Sequence, residues 1–242
     1  MPLTFAHPAA VLPGYRWHHR GFPFAALVIG SMSPDFEYFL RLEPIGHFAH
    51  TLSGVILFCL PIGLVVYGIF RTLVSPLLPA CLPIYLQRRW PEVNEFAGSR
   101  IRRYSTLVGA IVLGALTHIG WDAFTHQAGA VVVHLPALST VVLGLPVYKV
   151  LQHGSTVLGF ALIARWIHAL PVHDNGVPSL NPNRMYIAFV VAFLGCFAVL
   201  AGISPPVTMG RLVVEAIDAV LLAVLVTCMW QRCRIAGAQP TP

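Results

Sequence analysis

The sequence predicts an all-α fold, a polytopic membrane helix bundle, and three observations predict it. Hydrophobic residues make up 57 % of the 242 and charged residues only 10 %, outside the usual range of soluble domains. Apolar runs recur at 52–71, 105–126, 151–169, 185–203 and 211–231. Each is long enough as a helix to cross, or nearly cross, about 30 Å of hydrocarbon. Arginines gather between particular runs instead of spreading evenly. The chain therefore reads as one membrane domain of about five transmembrane helices. Residues 1–50 form an N-terminal hairpin and loop, 51–170 the core spans, and 171–242 two C-terminal spans.

Taken in order, residues 22–34 are apolar but too short to span, so the first 50 residues are expected as two short helices joined by a basic turn. Pro8-Ala-Ala-Val-Leu starts the first and Pro13-Gly14 ends it. YRWHHRG turns the chain, and FPFAALVIGSM forms the second helix, stopped at Ser33-Pro34. Such a re-entrant hairpin needs cover from protein or access to water. Arg16 and Arg20 ahead of this stretch, with Ser31-Met32-Ser33 behind it, have the layout of a secretory signal. Pro34 follows directly and spoils the cleavage site, so the N-terminus is expected to stay. Residues 72–104 hold Pro76, Pro79, Pro83 and the basic stretch QRRWPEVNEFAGSRIRR, an interfacial segment and loop. Residues 127–150 are a loop rich in Val, Leu and Pro, and 170–184 a polar, turn-rich loop. Five cysteines show no CxxC spacing, and three of them (Cys59, Cys196, Cys228) lie inside spans as small buried hydrophobes. A disulfide framework and a thiolate metal site are thereby excluded.

The charge pattern orients the bundle. Arg71, Arg88, Arg89, Arg100, Arg102 and Arg103 lie between the first two spans, Arg165 and Arg184 between the third and fourth, and Arg232 and Arg234 after the fifth. The positive-inside rule puts all ten on the cytoplasmic side, with the C-terminus, and leaves Arg41, Lys149 and Arg211 outside. The formal charge of +6 thus belongs to loops that face lipid headgroups, and no nucleic-acid partner is expected.

On that topology the ionisable residues converge. In THIGWDAFTH, at the outer end of the second span, His118, Asp122 and His126 each follow the last by four residues, which keeps them on one helix face. His118 and His126 are about 12 Å apart along the axis, too far to hold one ion, while Asp122 between them can bridge two. The spacing predicts two ions, one near each histidine. His47 and His50 in GHFAHT precede the first span, His153 opens the third, and His7 and Asp35 stand at the open end of the hairpin, all on the same side. A lone histidine in a span is more often a packing or hydrogen-bonding residue, but ionisable groups sharing one face are a functional signature. His18, His19 and His168 read as interfacial, His173-Asp174 sits in a loop on the opposite side, and His134 is left open. Nitrogen and oxygen ligands without thiolate suit zinc, with manganese or iron as alternatives. Ser53 and Ser155 lie near the histidines without any GxSxG pattern, so nucleophilic-serine chemistry is not expected.

MPLTFAHPAAVLP, ALVIGSMSPDFEYF, GHFAHT, THIGWDAFTH and LQHGS, in that order, resemble the bacterial membrane-protein family designated domain of unknown function 4184. The resemblance covers residues 1–170, and the last two spans rest on hydropathy alone. That family is similar to predicted membrane-bound metal-dependent hydrolases, and distantly to zinc-dependent phospholipase C and the single-strand-specific zinc nucleases. The resemblance implies a membrane-embedded version of the helical phospholipase C fold in the bacterial inner membrane. It makes His7, Asp35 and one of His47 or His50 early ligands, and His118, Asp122 and His126 the central His-Asp-His motif. His153 would open a final HxxxE pair, but Val157 stands where that pattern has Glu. The soluble enzymes also use a mature N-terminal amine, which a retained Met1 does not replace. One or two zinc ions are therefore expected instead of three.

The function expected from these readings is a metal-dependent hydrolase of a phosphoester, a phospholipid being the natural substrate for a site at bilayer depth. Asp35 is expected as general base or as a metal-orienting carboxylate, Asp122 as the bridge and the histidines as ligands. Two other classes stay open: a protein that binds or transports a metal ion or a proton, and a helix bundle stapled by metal.

Overall fold

The computed structural model describes residues 3–90, 99–142, 144–173, 182–203 and 208–237. Nearly all of these are helical. The only strands among them are the two-residue pair Val141–Val142 and Leu145–Pro146, antiparallel with Val141 opposite Pro146, with Gly144 beside them at φ 82°. The loop residues 91–98 and 174–181, Asp174 among them, and Met1 lie outside the described residues.

A 3-10 helix over Thr4–Arg20 opens the chain and turns at Gly21 in the left-handed region. It runs through Pro13-Gly14 and YRWHHR, where a helix end and a turn were expected. Helix α1 (Phe24–Met32) follows and ends at Ser33-Pro34 as expected, then a single 3-10 turn over Ser33–Asp35 and α2 (Phe36–Arg41). Helix α3 (Leu52–Leu77) runs beyond the expected end at 71. It contains two π-helical turns, Val55–Cys59 and Phe70–Val74, each ending two residues before a proline, Pro61 and Pro76. A proline ring collides with the carbonyl four residues back, and the wider turn relieves that collision without breaking the helix. Next come α4 (Arg100–Thr125), α5 (Ala130–His134), α6 (Val147–Ala169), α7 (Pro182–Ile203) and α8 (Met209–Gly237).

Among the described residues four helical stretches are long and apolar enough to cross a membrane: Leu52–Leu77, Arg100–His134, Arg184–Ile203 and Met209–Arg234. Five were expected. The missing one, 151–169, does fold as α6, but Lys149, Gln152, His153, Ser155 and Thr156 make its first turns too polar to count by composition.

The chain divides into two compact units, residues 1–37, 46–67 and 94–169, and residues 38–45, 68–93 and 170–242. In the first, α1 lies backbone to backbone on α4. A Cβ at Gly30 would strike the Ile111 carbonyl, and one at Gly114 would strike the Leu27 carbonyl, so only glycine allows this approach. Ala26, Leu27, Val11, Ala110 and Ile111 close the core around the contact. In the second unit α7 packs along α8 and turns Ile187, Val191, Leu194 and Val199 outward, the face of a helix in contact with lipid. The Arg232 guanidinium donates to the Thr72 carbonyl at 3.3 Å there.

Candidate metal centre

Several elements of the first unit bring polar side chains to a common point. The α1–α4 contact sets His118 against the end of α1, where its Nδ1 lies 2.8 Å from the Ser31 carbonyl. A carbonyl only accepts, so Nδ1 carries a hydrogen and Nε2 is the nitrogen turned to the carboxylates. It faces Asp122 Oδ2 at 3.3 Å and Asp35 Oδ1 at 3.5 Å. Asp35, 0 % exposed, is held by the Thr4 hydroxyl, which donates to Oδ2 at 2.6 Å. His50 is delivered by the loop ahead of α3. There the Glu37 carboxylate accepts from the Ala49 N–H at 2.9 Å, and Gly54 lies so close to the Phe48 carbonyl that a Cβ would not fit. Its Nε2 lies 3.5 Å from Asp35 Oδ1 and 3.6 Å from Asp122 Oδ2. His7, on the 3-10 segment that docks on α6 through the bond from the Leu3 N–H to Thr156 Oγ1, stacks on His118 with ring centroids 3.7 Å apart. Its Nε2 is 3.7 Å from Asp122 Oδ1.

His7 Nε2, His118 Nε2, Asp35 Oδ1 and Asp122 Oδ1 are buried and make no hydrogen bond among the described residues. Nitrogen lone pairs and carboxylate oxygens facing one another in a low-dielectric site repel unless positive charge stands between them. Two ligand atoms each about 2.0–2.2 Å from a tetrahedral ion lie about 3.3–3.6 Å apart. The four separations linking His50 and His118 to Asp35 and Asp122 are 3.3, 3.5, 3.5 and 3.6 Å. These side chains therefore have the donor chemistry to hold metal, and their ligand atoms form two overlapping groups that share His118, one of His7, Asp35 and His118 and one of His50, His118 and Asp122, each within 4.8 Å. Burial, with His118 stacked on the ring, pushes the His7 imidazole down to about 3. Burial alone would raise Asp35, but the neighbouring His118 outweighs it and holds the carboxyl well below the usual carboxylate range. Neutral imidazole and ionised carboxylate are the forms that ligate.

The eight expected residues divide. His7, Asp35, His50, His118 and Asp122 converge as described. His47 and His153 are exposed and stay outside the cluster. His126 lies beside Asp122 but with the opposite polarity to a ligand. Its Nδ1 lies 3.3 Å from the Asp122 carbonyl and 3.4 Å from Asp122 Oδ1, two acceptors that both call for an N–H. Its Nε2 faces Gln152 Nε2 at 3.5 Å. The Gln152 amide is fixed in that sense by Lys149, whose Nζ donates to Oε1 at 3.0 Å. His126 thus donates to Asp122 from the rim, and the two candidate ligand groups both centre on His118 instead of one on each histidine of THIGWDAFTH. Sequence reasoning missed Thr4 and Gln152. Gln152 immediately precedes His153, and the register of α6, which buries residue 152 and exposes 153, is the signal that separates them.

Fold and site together define a polytopic helical membrane protein with a buried His/Asp cluster in its first unit. The family model described as a domain of unknown function (DUF4184) matches residues 1–229, and the chain belongs to that family. The match extends past residue 170, so the last two spans belong to the family as well. No curated protein and no solved structure matches the chain.

Proposed function

We propose that the protein is a membrane-embedded, metal-dependent hydrolase of a phosphoester, with a phospholipid as its natural substrate. The observation that carries the reading is the cluster of His118, His50, Asp35 and Asp122 at ion-sharing distances, with His7 beside them. Zinc suits these nitrogen and oxygen donors, with one or two ions as the expected number. Bound there, zinc would supply a Lewis acid and a water of lowered pKa. The chain's own residues divide the remaining work. Asp35 is sealed from solvent and tied to Thr4, which suits the metal-orienting role and not that of general base. Asp122 joins the ligand group to His126. The side chains of His50 and His126 are 18 % and 27 % exposed, so the cluster opens on that side, and His126 is the group placed to pass a proton to or from a substrate.

The arginines between α3 and α4 support an extracytoplasmic site, because His50 precedes α3 and His126 follows α4, both at the ends away from that basic stretch. A cytoplasmic C-terminus further requires α6 to cross the bilayer. Its 23 residues span about 35 Å, and its polar first turns bury Gln152 in protein. The test is metal content by inductively coupled plasma mass spectrometry on detergent-purified protein free of polyhistidine, beside the His118→Ala/Asp122→Ala variant. A phosphodiester and phospholipid screen follows on the metal-loaded protein. About one or two ions per chain, lost in the variant, and hydrolysis lost with them, is the expected result. No stoichiometric metal overturns the reading, and stoichiometric metal without hydrolysis turns it to a non-catalytic metal-binding protein.

A further inference from the structure

The second unit buries a charged group of its own, distant in sequence from the His/Asp cluster. At the start of α8, Arg211 lies between two carboxylates, with Nη1 3.5 Å from Glu43 Oε1 and Nε 3.3 Å from Glu215 Oε1. Glu43 is half-exposed, whereas Glu215 is 2 % exposed. Three residues further on, Asp218 occupies the neighbouring position on the same buried face, 8 % exposed. Its Oδ2 makes no hydrogen bond, and it has no ion pair among the described residues. The elements packed on α8 give it no counter-charge. Helix α7 has no acid, and its one cation, Arg184, is exposed at its far end. The end of α3 that packs on α8 contributes Arg71 as its only charge, and that arginine is not paired with Asp218.

The buried charges therefore do not balance. Arg211 supplies one positive charge, and Glu215 and Asp218 supply two negative ones. An isolated carboxylate at bilayer depth is not tolerated without compensation, and intramembrane carboxylates as a rule mark ion or proton sites. We infer that Glu215 and Asp218 form a binding site for one small monovalent cation, a proton or an alkali ion, with Arg211 as the fixed counter-charge. One such cation brings the buried set to neutrality. The inference is independent of the proposed hydrolase and uses none of its residues.

Dicyclohexylcarbodiimide distinguishes the two occupants. The reagent dissolves in lipid and adds a protonated carboxyl across one C=N bond, the oxygen going to carbon and the proton to nitrogen, and the O-acylisourea so formed shifts its acyl group from oxygen to nitrogen, leaving a stable N-acylurea that mass spectrometry places on a peptide. The full chain is reconstituted in phosphatidylcholine vesicles and labelled between about pH 5 and about pH 9 in choline, sodium and potassium salts. Labelling of Asp218 or Glu215 that falls as pH rises, alike in all three salts, is expected for a proton. Labelling that sodium or potassium suppresses relative to choline at one pH is expected for an alkali ion. In either case Asp218→Asn abolishes or strongly reduces it. Absence of label from both residues at every pH, while a water-soluble carbodiimide modifies Glu43 in the same preparation, overturns the site. Label on Glu215 that Asp218→Asn leaves unchanged overturns the two-carboxyl arrangement.

Discussion

Gln152→Met tests the polarity assigned to His126. Gln152 is 1 % exposed, and methionine conserves its volume while removing both the donor to His126 Nε2 and the acceptor of Lys149 Nζ. The bond to His126 is 3.5 Å, at the outer limit for a hydrogen bond, and a neutral bond has a net worth of about 0.5–1.5 kcal/mol. That range is about 2-fold to about 13-fold in an equilibrium constant. Gln152 reaches the ligand Asp122 only through His126, so the variant is expected to bind zinc more weakly by no more than about that range, with unchanged stoichiometry. The assay is competition against a chromophoric chelator in detergent. Nitrogen-15 NMR reads the imidazole directly, with the His126 hydrogen on Nδ1 in the native protein and distributed between both nitrogens in the variant. Wild-type affinity together with a hydrogen on Nε2 of native His126 would refute the reasoning and return His126 to the ligand set.

Three more outcomes follow from the geometry. His47→Ala and His153→Ala leave zinc stoichiometry unchanged, whereas His50→Ala lowers it, all three read by elemental analysis; loss of metal in the first two would restore the expectation drawn from the sequence. Gly114→Leu forces a side chain into the Leu27 backbone and costs about 1–3 kcal/mol, lowering the unfolding temperature in detergent, while Gly68→Ala, with open space around it, does not. A fluorescent-protein fusion at the C-terminus is expected to fluoresce and an alkaline phosphatase fusion to stay inactive; the reverse would mean that α6 does not cross the bilayer.

The helices were legible because lipid imposes one rule on every turn of an apolar span, and that rule shows as composition. Helix α6 was legible from the apolar run 151–169, but not its start at Val147, because its first turns face protein through Gln152 and Tyr148 and a protein-facing surface leaves no hydropathy signature. The extension of α3 past Pro76 was illegible for a different reason, since a π turn that absorbs a proline depends on hydrogen-bond register and not on residue type. In the site, spacing on one helix correctly put His118, Asp122 and His126 on a common face. It did not say which nitrogen of His126 would turn inward, because the Lys149–Gln152 pair on another helix decides that. Likewise GHFAHT offers two histidines three apart, and the Ala49–Glu37 bond, twelve residues back in sequence, selects His50 over His47.

One electrostatic argument spans both buried clusters and ties each to a different ion. Asp35 and Asp122 bring two negative charges among imidazoles whose lone pairs add none, so the set is two positive charges short of neutrality, as a divalent ion would supply. Glu215 and Asp218 also bring two, but Arg211 cancels one, so the shortfall is a single charge. If zinc were found with Glu215 and Asp218, or an alkali ion with His118, the charge count would be the wrong guide. The decisive comparison is therefore the two double variants, His118→Ala/Asp122→Ala and Glu215→Gln/Asp218→Asn. The first is expected to lose divalent metal and keep carbodiimide labelling, and the second to do the reverse.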